Sequence, residues 1–125
     1  MNAFADTIYG DAGNDIIDAG EGDDLAYGGD DNDALDMGEG NDVAYLGSGN
    51  DAGFLGDGDD FADAGDGDDL VQGGGGSDTI LGGLGSDTLT GAGGYDVIFG
   101  GDGDDDIDGG NQADELHGGA GNDRL

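Results

Sequence analysis

The sequence is organised as a nine-residue repeat that runs through the whole chain without an insertion. Divided from Met1, it gives fourteen units, the last of which stops one residue short at Leu125. The sixth position is aspartate in all fourteen units, the second and fourth positions are glycine in eleven units each, and the eighth is Ile, Leu or Val in ten. Such regularity does not arise by chance, so the chain is an array of internal repeats.

The charge of the chain limits its partners. The formal net charge is −31, from 32 acidic residues against a single Lys or Arg, and 33 residues are glycine. Without a ligand this composition is typical of disordered chains, because like charges repel and little apolar surface is available. Nucleic acids and anionic membranes carry the same sign of charge, so neither is expected as a partner, whereas cations are.

Other classes of site and segment are excluded by what the sequence lacks. It contains no cysteine, so it has no disulfide and no thiolate metal site. No apolar run approaches the length of a transmembrane helix. The start of the chain has neither the basic region nor the apolar core of a secretory signal peptide.

The units resemble a known calcium-binding repeat. The segments GGLGSDTLT (82–90) and GGAGNDRL (118–125) are similar to the RTX, or hemolysin-type, nonapeptide G-G-x-G-x-D-x-U-x, in which U is apolar. The resemblance covers the whole chain. It implies an all-β fold with a single domain over residues 1–125: a right-handed parallel β-roll of fourteen nonapeptides, with 18 residues per coil and about seven coils. In each unit the first six residues would form a loop and the last three a short strand.

The resemblance also implies the metal ligands, with calcium lying between a loop and its counterpart eighteen residues later. The side-chain ligands would be the aspartates of the sixth position: Asp6, Asp15, Asp24, Asp33, Asp42, Asp51, Asp60, Asp69, Asp78, Asp87, Asp96, Asp105, Asp114 and Asp123. Backbone carbonyl ligands would come from Gly20, Gly22, Gly38, Gly40, Gly47, Gly49, Gly56, Gly58, Gly65, Gly67, Gly74, Gly76, Gly83, Gly85, Gly101 and Gly103.

Elementary chemistry agrees with these ligands. Calcium takes six to eight oxygen ligands, and glycine permits the tight backbone that turns carbonyl oxygens toward one point. If each ion bridges units n and n+2, the fourteen units offer at most twelve sites, and twelve divalent ions would bring the charge from −31 to −7. Folding and calcium binding are therefore expected to be coupled.

Some units depart from the pattern. Loop glycines are replaced by Asn2, Phe4, Asp11, Asp31, Ala92 and Gln112, so the sites that use those loops are less regular. The inward eighth position is small at Ala26, Ala44, Gly53 and Ala62. The next inward position, two residues later on the same strand, is large at Met37, Leu46 and Leu55. These large side chains are predicted to fill the space left by small residues at the eighth position, so that the packing density of the core stays constant. Gly28, two residues after Ala26, does not compensate in this way.

Odd and even units are expected to lie on opposite sheets. The outward positions of the odd units are apolar and aromatic, and include Tyr9, Tyr27, Tyr45, Phe61 and Phe99, whereas those of the even units are mostly small or polar. The apolar face predicts either cross-strand ladders that stabilise a thin roll or an interface with a neighbouring domain or a second copy. The sequence leaves both open.

Several local matches to other sites are discounted. Asp104, Asp106, Asp108, Gly109 and Glu115 fit the spacing of an EF-hand loop, but no helix-forming stretch flanks them. His117 has no partner for zinc binding or catalysis and is expected on the solvated surface. Ser48, Ser77 and Ser86 have no base to activate them. No catalytic residue is assigned, and the chain is not expected to be an enzyme.

The leading interpretation is a calcium-binding structural module of a secreted bacterial RTX-type protein. The resemblance implies export through a type I pore, folding in extracellular calcium, and an extracellular or cell-surface location, and the chain is expected to be part of a longer protein. One alternative is a ligand-binding, ice-binding or adhesive surface on a calcium-dependent roll. Asn recurs at the fifth position, but Thr is never found at the third. Another is an accessory module of a secreted enzyme.

Overall fold

The computed structural model describes residues 3–125, which are built from β-strands and short connecting turns without an α-helix. Thirteen strands of six residues each follow one another along the chain. Their bounds are β1 Thr7–Ala12, β2 Ile16–Glu21, β3 Leu25–Asp30, β4 Ala34–Glu39, β5 Val43–Ser48, β6 Ala52–Asp57, β7 Phe61–Asp66, β8 Leu70–Gly75, β9 Thr79–Leu84, β10 Thr88–Gly93, β11 Val97–Asp102, β12 Asp106–Asn111 and β13 Glu115–Ala120.

The strands form two parallel sheets, one from the seven odd strands and one from the six even strands. Neighbours within a sheet pair in a register of eighteen residues, as Thr7 does with Leu25. The fold is therefore a parallel β-solenoid, and the predicted separation of odd and even units is confirmed. It has about six turns rather than the predicted seven. In the fourteenth unit Arg124 makes only an isolated bridge to Asp106 and no strand follows β13.

The strands are twice as long as predicted, six residues instead of three. Pairing continues into the second and third positions of the next unit, where Asp11 pairs with Gly29 and Ala12 with Asp30. The positive φ at the second position, 119° at Gly29, does not interrupt the parallel ladder. Consequently the connection between β1 and β2 is only residues 13–15.

The core lies between the sheets and takes one side chain from the eighth position and one from the following first position. The buried apolar side chains are Ile17, Ala19, Ala26, Leu35, Met37, Ala44, Leu46, Leu55, Ala62, Ala64, Val71, Ile80, Leu89, Ile98 and Ile107. A Cβ added to Gly53 would lie 3.2 Å from Leu46 Cδ2, so Leu46 fills the space that Gly53 leaves. Leu46 lies on β5 of the opposite sheet, so this space is filled from across the core, whereas the sequence pairs Gly53 with Leu55, two residues later on the same strand.

Gly28, which does not compensate for Ala26, is explained by backbone packing. A Cβ at Gly28 would overlap the carbonyl oxygen of Leu46 in the next coil. The coils approach too closely here for any side chain, so glycine is required by contact between backbones.

The outward face of the odd sheet carries a ladder of aromatic rings. Tyr9 and Tyr27 are stacked with ring centroids 5.0 Å apart, and Tyr27 and Tyr45 with centroids 5.2 Å apart. Phe61 continues the series in a tilted arrangement 6.0 Å from Tyr45. The predicted cross-strand ladder is present, and it connects four successive coils.

Candidate metal centres

The aspartates of the sixth position form two rows, one along each turn of the roll. Each aspartate from Asp6 to Asp114 immediately precedes a strand, and the strands alternate between the sheets. Ten of these aspartates are buried: Asp24, Asp33, Asp42, Asp51, Asp60, Asp69, Asp78, Asp87, Asp96 and Asp105. Asp6, Asp15, Asp114 and Asp123, nearer the ends of the rows, are partly exposed. The roll thus has two buried files of carboxylates beside its apolar core.

One oxygen of nearly every carboxylate holds the neighbouring coil. The backbone N–H of Asp24 donates to Oδ1 of Asp42 at 2.7 Å, and the same contact joins Asp60 to Asp78 at 2.9 Å. Twelve such bonds join aspartates eighteen residues apart, from the Asp6–Asp24 pair to the Asp105–Asp123 pair. Each pair corresponds to one of the predicted bridged loops.

The other oxygen is buried without a hydrogen-bond partner. This is true of Oδ2 in eleven aspartates, namely Asp15, Asp24, Asp33, Asp42, Asp51, Asp60, Asp69, Asp78, Asp87, Asp96 and Asp105. Oδ2 of Asp78 faces the first residue of its own unit across the turn, where a Cβ on Gly73 would overlap it. An unpartnered buried carboxylate oxygen is strongly unfavourable, so eleven in two files fit the binding of a cationic ligand.

The electrostatics of the files agree with this. Burial is the main cause that raises the pKa of Asp69 and Asp78 to about 7, and that of Asp42 and Asp87 to about 6. The backbone N–H bond lowers the pKa of each carboxyl, whereas neighbouring carboxylates raise it further. Burial likewise raises the pKa values of Asp51, Asp60 and Asp96.

In the part of the chain that the structure describes, no protein cation neutralises these files. Arg124, the only Lys or Arg, lies 3.6 Å from exposed Asp106 on the outer surface. Within residues 3–125 there is no group of three or more His, Cys, Asp or Glu side chains that could hold a metal. A cation bound at the files would therefore need backbone carbonyl oxygens as well as carboxylates.

The loop backbone is shaped to bring such carbonyls close together. All sixteen glycines predicted as carbonyl ligands have positive φ, for example 143° at Gly40 and 150° at Gly58. A Cβ on Gly58 would overlap the carbonyl of Gly40 in the preceding coil, so the stacked loops leave no room for side chains here. Oxygen-rich, glycine-lined loops beside buried carboxylates fit a hard cation such as calcium.

Within residues 3–125, four loops hold a non-glycine residue with positive φ. These are Asp11, Asp31, Ala92 and Gln112, with φ of 74°, 78°, 80° and 82°. They are four of the six replacements that the sequence singles out, and the backbone keeps its glycine-like shape at all four. Phe4, in the first loop, is not among the residues with positive φ, and Asn2 falls outside the described residues.

A second ladder, at the fifth position, is a feature that the sequence analysis missed. The N–H of Asn50 donates to Oδ1 of Asn32 at 2.8 Å, and the N–H of Asp59 donates to Oδ1 of Asn41 at 2.8 Å. At the fifth position the N–H donates to a side chain of the preceding coil, whereas at the sixth position it donates to a side chain of the following coil. The available signal was the presence of Asn, Asp or Ser at the fifth position in eleven of fourteen units.

The discounted motifs do not form sites. Asp106 and Asp108 lie exposed on strand β12, and Glu115 begins β13, so the EF-hand spacing does not form a loop between helices. His117 is stacked on Phe99 at 4.5 Å, with Nε2 2.7 Å from Glu115 Oε1. Ser48 donates from Oγ to Asp30 at 3.1 Å, and Ser86 belongs to the fifth-position ladder.

Comparison with known families agrees with the geometry. Overlapping stretches at residues 2–35, 27–62, 54–89, 81–116 and 90–125 match the RTX calcium-binding nonapeptide repeat. The chain belongs to this family. The RTX repeat β-roll is a structural calcium-binding fold, so calcium is the partner of this chain. A search of curated proteins finds no match. Across residues 3–125, no helix has the length and apolar character to cross a membrane.

Proposed function

We propose that this RTX repeat chain is a structural module of a secreted protein that folds when it binds extracellular calcium. The observation that carries the proposal is the set of eleven buried Oδ2 atoms without a hydrogen-bond partner. A fold with so many desolvated and unpaired carboxylates is unstable on its own, and bound divalent cations would stabilise it by mass action.

The ligands that we propose are the fourteen aspartates of the sixth position together with carbonyls of the glycine loops predicted above. Twelve loop pairs are joined by the bond from an aspartate N–H to the Oδ1 of the next aspartate. This count supports an upper limit of about twelve ions. Bound calcium would supply the positive charge that the two files lack, and the N–H bonds would hold each carboxylate in place.

A location outside the cell suits this chemistry. Extracellular calcium modules bind with dissociation constants of about 10⁻⁴–10⁻³ M, which matches a site that is empty in a calcium-poor cytosol and filled outside. Before export the chain would be held expanded by its net charge of −31, a state that can pass through a secretion channel. The module is proposed to lack catalytic activity of its own.

Circular dichroism during a calcium titration tests the proposal. We expect the metal-free chain at pH 7.5 to give a disordered spectrum and calcium to produce a cooperative rise in β-sheet signal. Magnesium should have little effect, because it demands octahedral geometry and gives up its water reluctantly. A full sheet signal in chelator, unchanged by calcium, would contradict the proposal.

A further inference from the structure

We infer that the metal sites of the roll fall into two classes, and that the weaker class lies on one turn near the C-terminal end. This inference rests on the proposed function, since it ranks the calcium sites assigned there. The weaker sites lie between Asp78, Asp96 and Asp114, in what we call the late odd loops (residues 73–78, 91–96 and 109–114). The matched sites on the opposite turn lie between Asp69, Asp87 and Asp105, in the late even loops (residues 64–69, 82–87 and 100–105).

The first observation is a gap in the fifth-position ladder. On the odd turn the ladder reaches Ser77, whose N–H donates to Asp59 Oδ1 at 2.8 Å. It then stops, because the N–H of Tyr95 is not bonded to Ser77 and the side chain of Tyr95 does not accept the N–H of Ala113. Within residues 3–125, no fifth-position side chain accepts a bond from the N–H of Tyr95 or Ala113.

The late even loops keep this ladder. The N–H of Ser86 donates to Asp68 Oδ1 at 2.8 Å, a longer contact of 3.4 Å joins the N–H of Asp104 to Ser86 Oγ, and Asn122 continues the ladder with a bond of 2.8 Å to Asp104. These bonds fix the loop backbone next to the carboxylate. Since calcium affinity depends on the rigidity of the site, the loops without them must be ordered by the ion itself.

The second observation is backbone strain in the same loops. Ala92 and Gln112 have φ of 80° and 82°, a conformation that residues with a Cβ adopt at a cost. At the equivalent positions of the late even loops stand glycines, such as Gly83 and Gly103. Calcium that orders the late odd loops must therefore also hold this strained backbone.

The third observation is charge. The third and fifth positions of the late even loops include Asp66, Asp68, Asp102 and Asp104, whereas those of the late odd loops are Gly75, Ser77, Gly93, Tyr95, Asn111 and Ala113. Fewer negative charges near a site attract a cation less strongly. The late odd loops thus have fewer hydrogen bonds, more backbone strain and fewer acidic residues than their counterparts across the roll.

Residue-resolved NMR of the full chain during a calcium titration tests the ranking. We expect the amides of Asp96 and Asp114 to reach their calcium-bound positions at about two- to tenfold higher free calcium than those of Asp87 and Asp105. This range corresponds to the loss of about one net hydrogen bond per loop. The comparison is internal, because the two sets of loops lie side by side in the same molecule.

A variant that restores the ladder provides the matched experiment. Ser77→Asn with Tyr95→Asn places one amide oxygen within reach of the N–H of residue 95 and another within reach of the N–H of Ala113. The Asp96 and Asp114 amides should then reach their calcium-bound positions at free calcium concentrations closer to those of the even turn. The control, Asn41→Ala, removes the acceptor of the Asp59 N–H. It should raise the free calcium concentration at which the amides of Asp42 and Asp60 reach their calcium-bound positions.

The outcomes separate the two proposals. Amides that shift together at every loop of the wild-type chain would overturn the ranking and leave the proposed function standing. The ranking would also be overturned if the restored ladder did not lower the free calcium concentration needed by the amides of the late odd loops. Absence of any calcium-induced change would overturn the proposed function and the ranking together. The wild-type titration decides the question even if the variants do not fold.

Discussion

At the scale of the residue, the repeat aspartate has two separate tasks. Its Oδ1 accepts the N–H of the aspartate one coil earlier, as in the 2.9 Å contact between Asp60 and Asp78. Its Oδ2 is buried without a partner. The first contact aligns neighbouring loops in the folded roll, whereas the second oxygen makes the fold dependent on a cation.

Replacement of Asp78 by Asn separates these tasks. Asn can still accept the N–H of Asp60, but it removes one buried charge. In saturating calcium we expect a loss of about 1–3 kcal/mol in the free energy of unfolding, because a charged ligand is gone. In chelator the same change should be neutral or stabilising. Chemical denaturation measures the loss in calcium, circular dichroism of the sheet signal reports the effect in chelator, and the exposed Asp36→Asn serves as the control.

The strain at Ala92 provides another test at this scale. Ala92→Gly relieves a Cβ held at a φ of 80°, so we expect an increase of about 1 kcal/mol in the free energy of unfolding in calcium. Ala113→Gly in the same group of loops is the control, because Ala113 is not among the residues with positive φ. Thermal melts in calcium would report the difference, and equal melting temperatures for the two variants would show that Ala92 is not strained.

The sequence predicts the place of each aspartate and the glycine-like shape of the loops, but not their hydrogen bonds. The period of nine residues sets which residues stack, so Asp60 can be placed beside Asp78 from the sequence alone. Which atom bonds to which depends on the height of one coil relative to the next. The cap from Asn41 to Asp59 is such a detail, and it becomes visible only when the register of the coils is known.

At the scale of the element, the length of the strands was underestimated. The resemblance to the nonapeptide repeat implied strands of three residues, and a glycine at positive φ next to such a strand would normally weaken it. In a parallel stack, however, every coil has the same unusual conformation at the same height. Gly47 pairs with Gly65 as regularly as Val43 does with Phe61. Identical neighbours therefore keep the ladder intact through a conformation that would end an isolated strand.

The tyrosine ladder is the clearest element-level test. Tyr27 stacks on both Tyr9 and Tyr45, and each aromatic pair contributes about 0.5–1.5 kcal/mol. We expect Tyr27→Ser to lower the free energy of unfolding in calcium by about 1–3 kcal/mol. Tyr95→Ser, at an exposed loop ring, should change it far less. Chemical denaturation followed by circular dichroism compares the two.

Docking of a neighbouring domain or a second copy on this face stays a prediction. Sedimentation of the chain in calcium at high concentration tests the second copy. Dimerisation that Tyr27→Ser and Tyr45→Ser abolish would support it, whereas a monomer throughout would leave the ladder with a stabilising role only.

At the scale of the whole molecule, acidity and fold are linked. The raised pKa values, about 7 for Asp69 and Asp78 and about 6 for Asp42 and Asp87, lie above the ordinary value of 3.8. The folded chain therefore binds protons more tightly than the unfolded chain. The resulting stabilisation is complete below about pH 4 and is lost as the pH rises through the range from 6 to 7.

The metal-free chain should accordingly be more ordered in mild acid than at neutral pH. In chelator we expect a sheet signal in circular dichroism at pH 4.5 that fades by pH 7.5, and calcium should restore it at pH 7.5. Added monovalent salt at pH 7.5 is the control, since it screens exposed charges but acts little on buried ones. A metal-free spectrum that is the same at both pH values would contradict the assignment of buried carboxylates as the origin of metal dependence.

The alternation of units between two sheets limits how such a chain can change in length. Gain or loss of eighteen residues adds or removes one full coil, and all the remaining side chains stay on their original sheet. A deletion of nine residues, for example 64–72, would instead transfer all later units to the opposite sheet, so that Phe99 and His117 no longer shared a side with the tyrosines. Viable length variants are therefore expected to differ by whole coils.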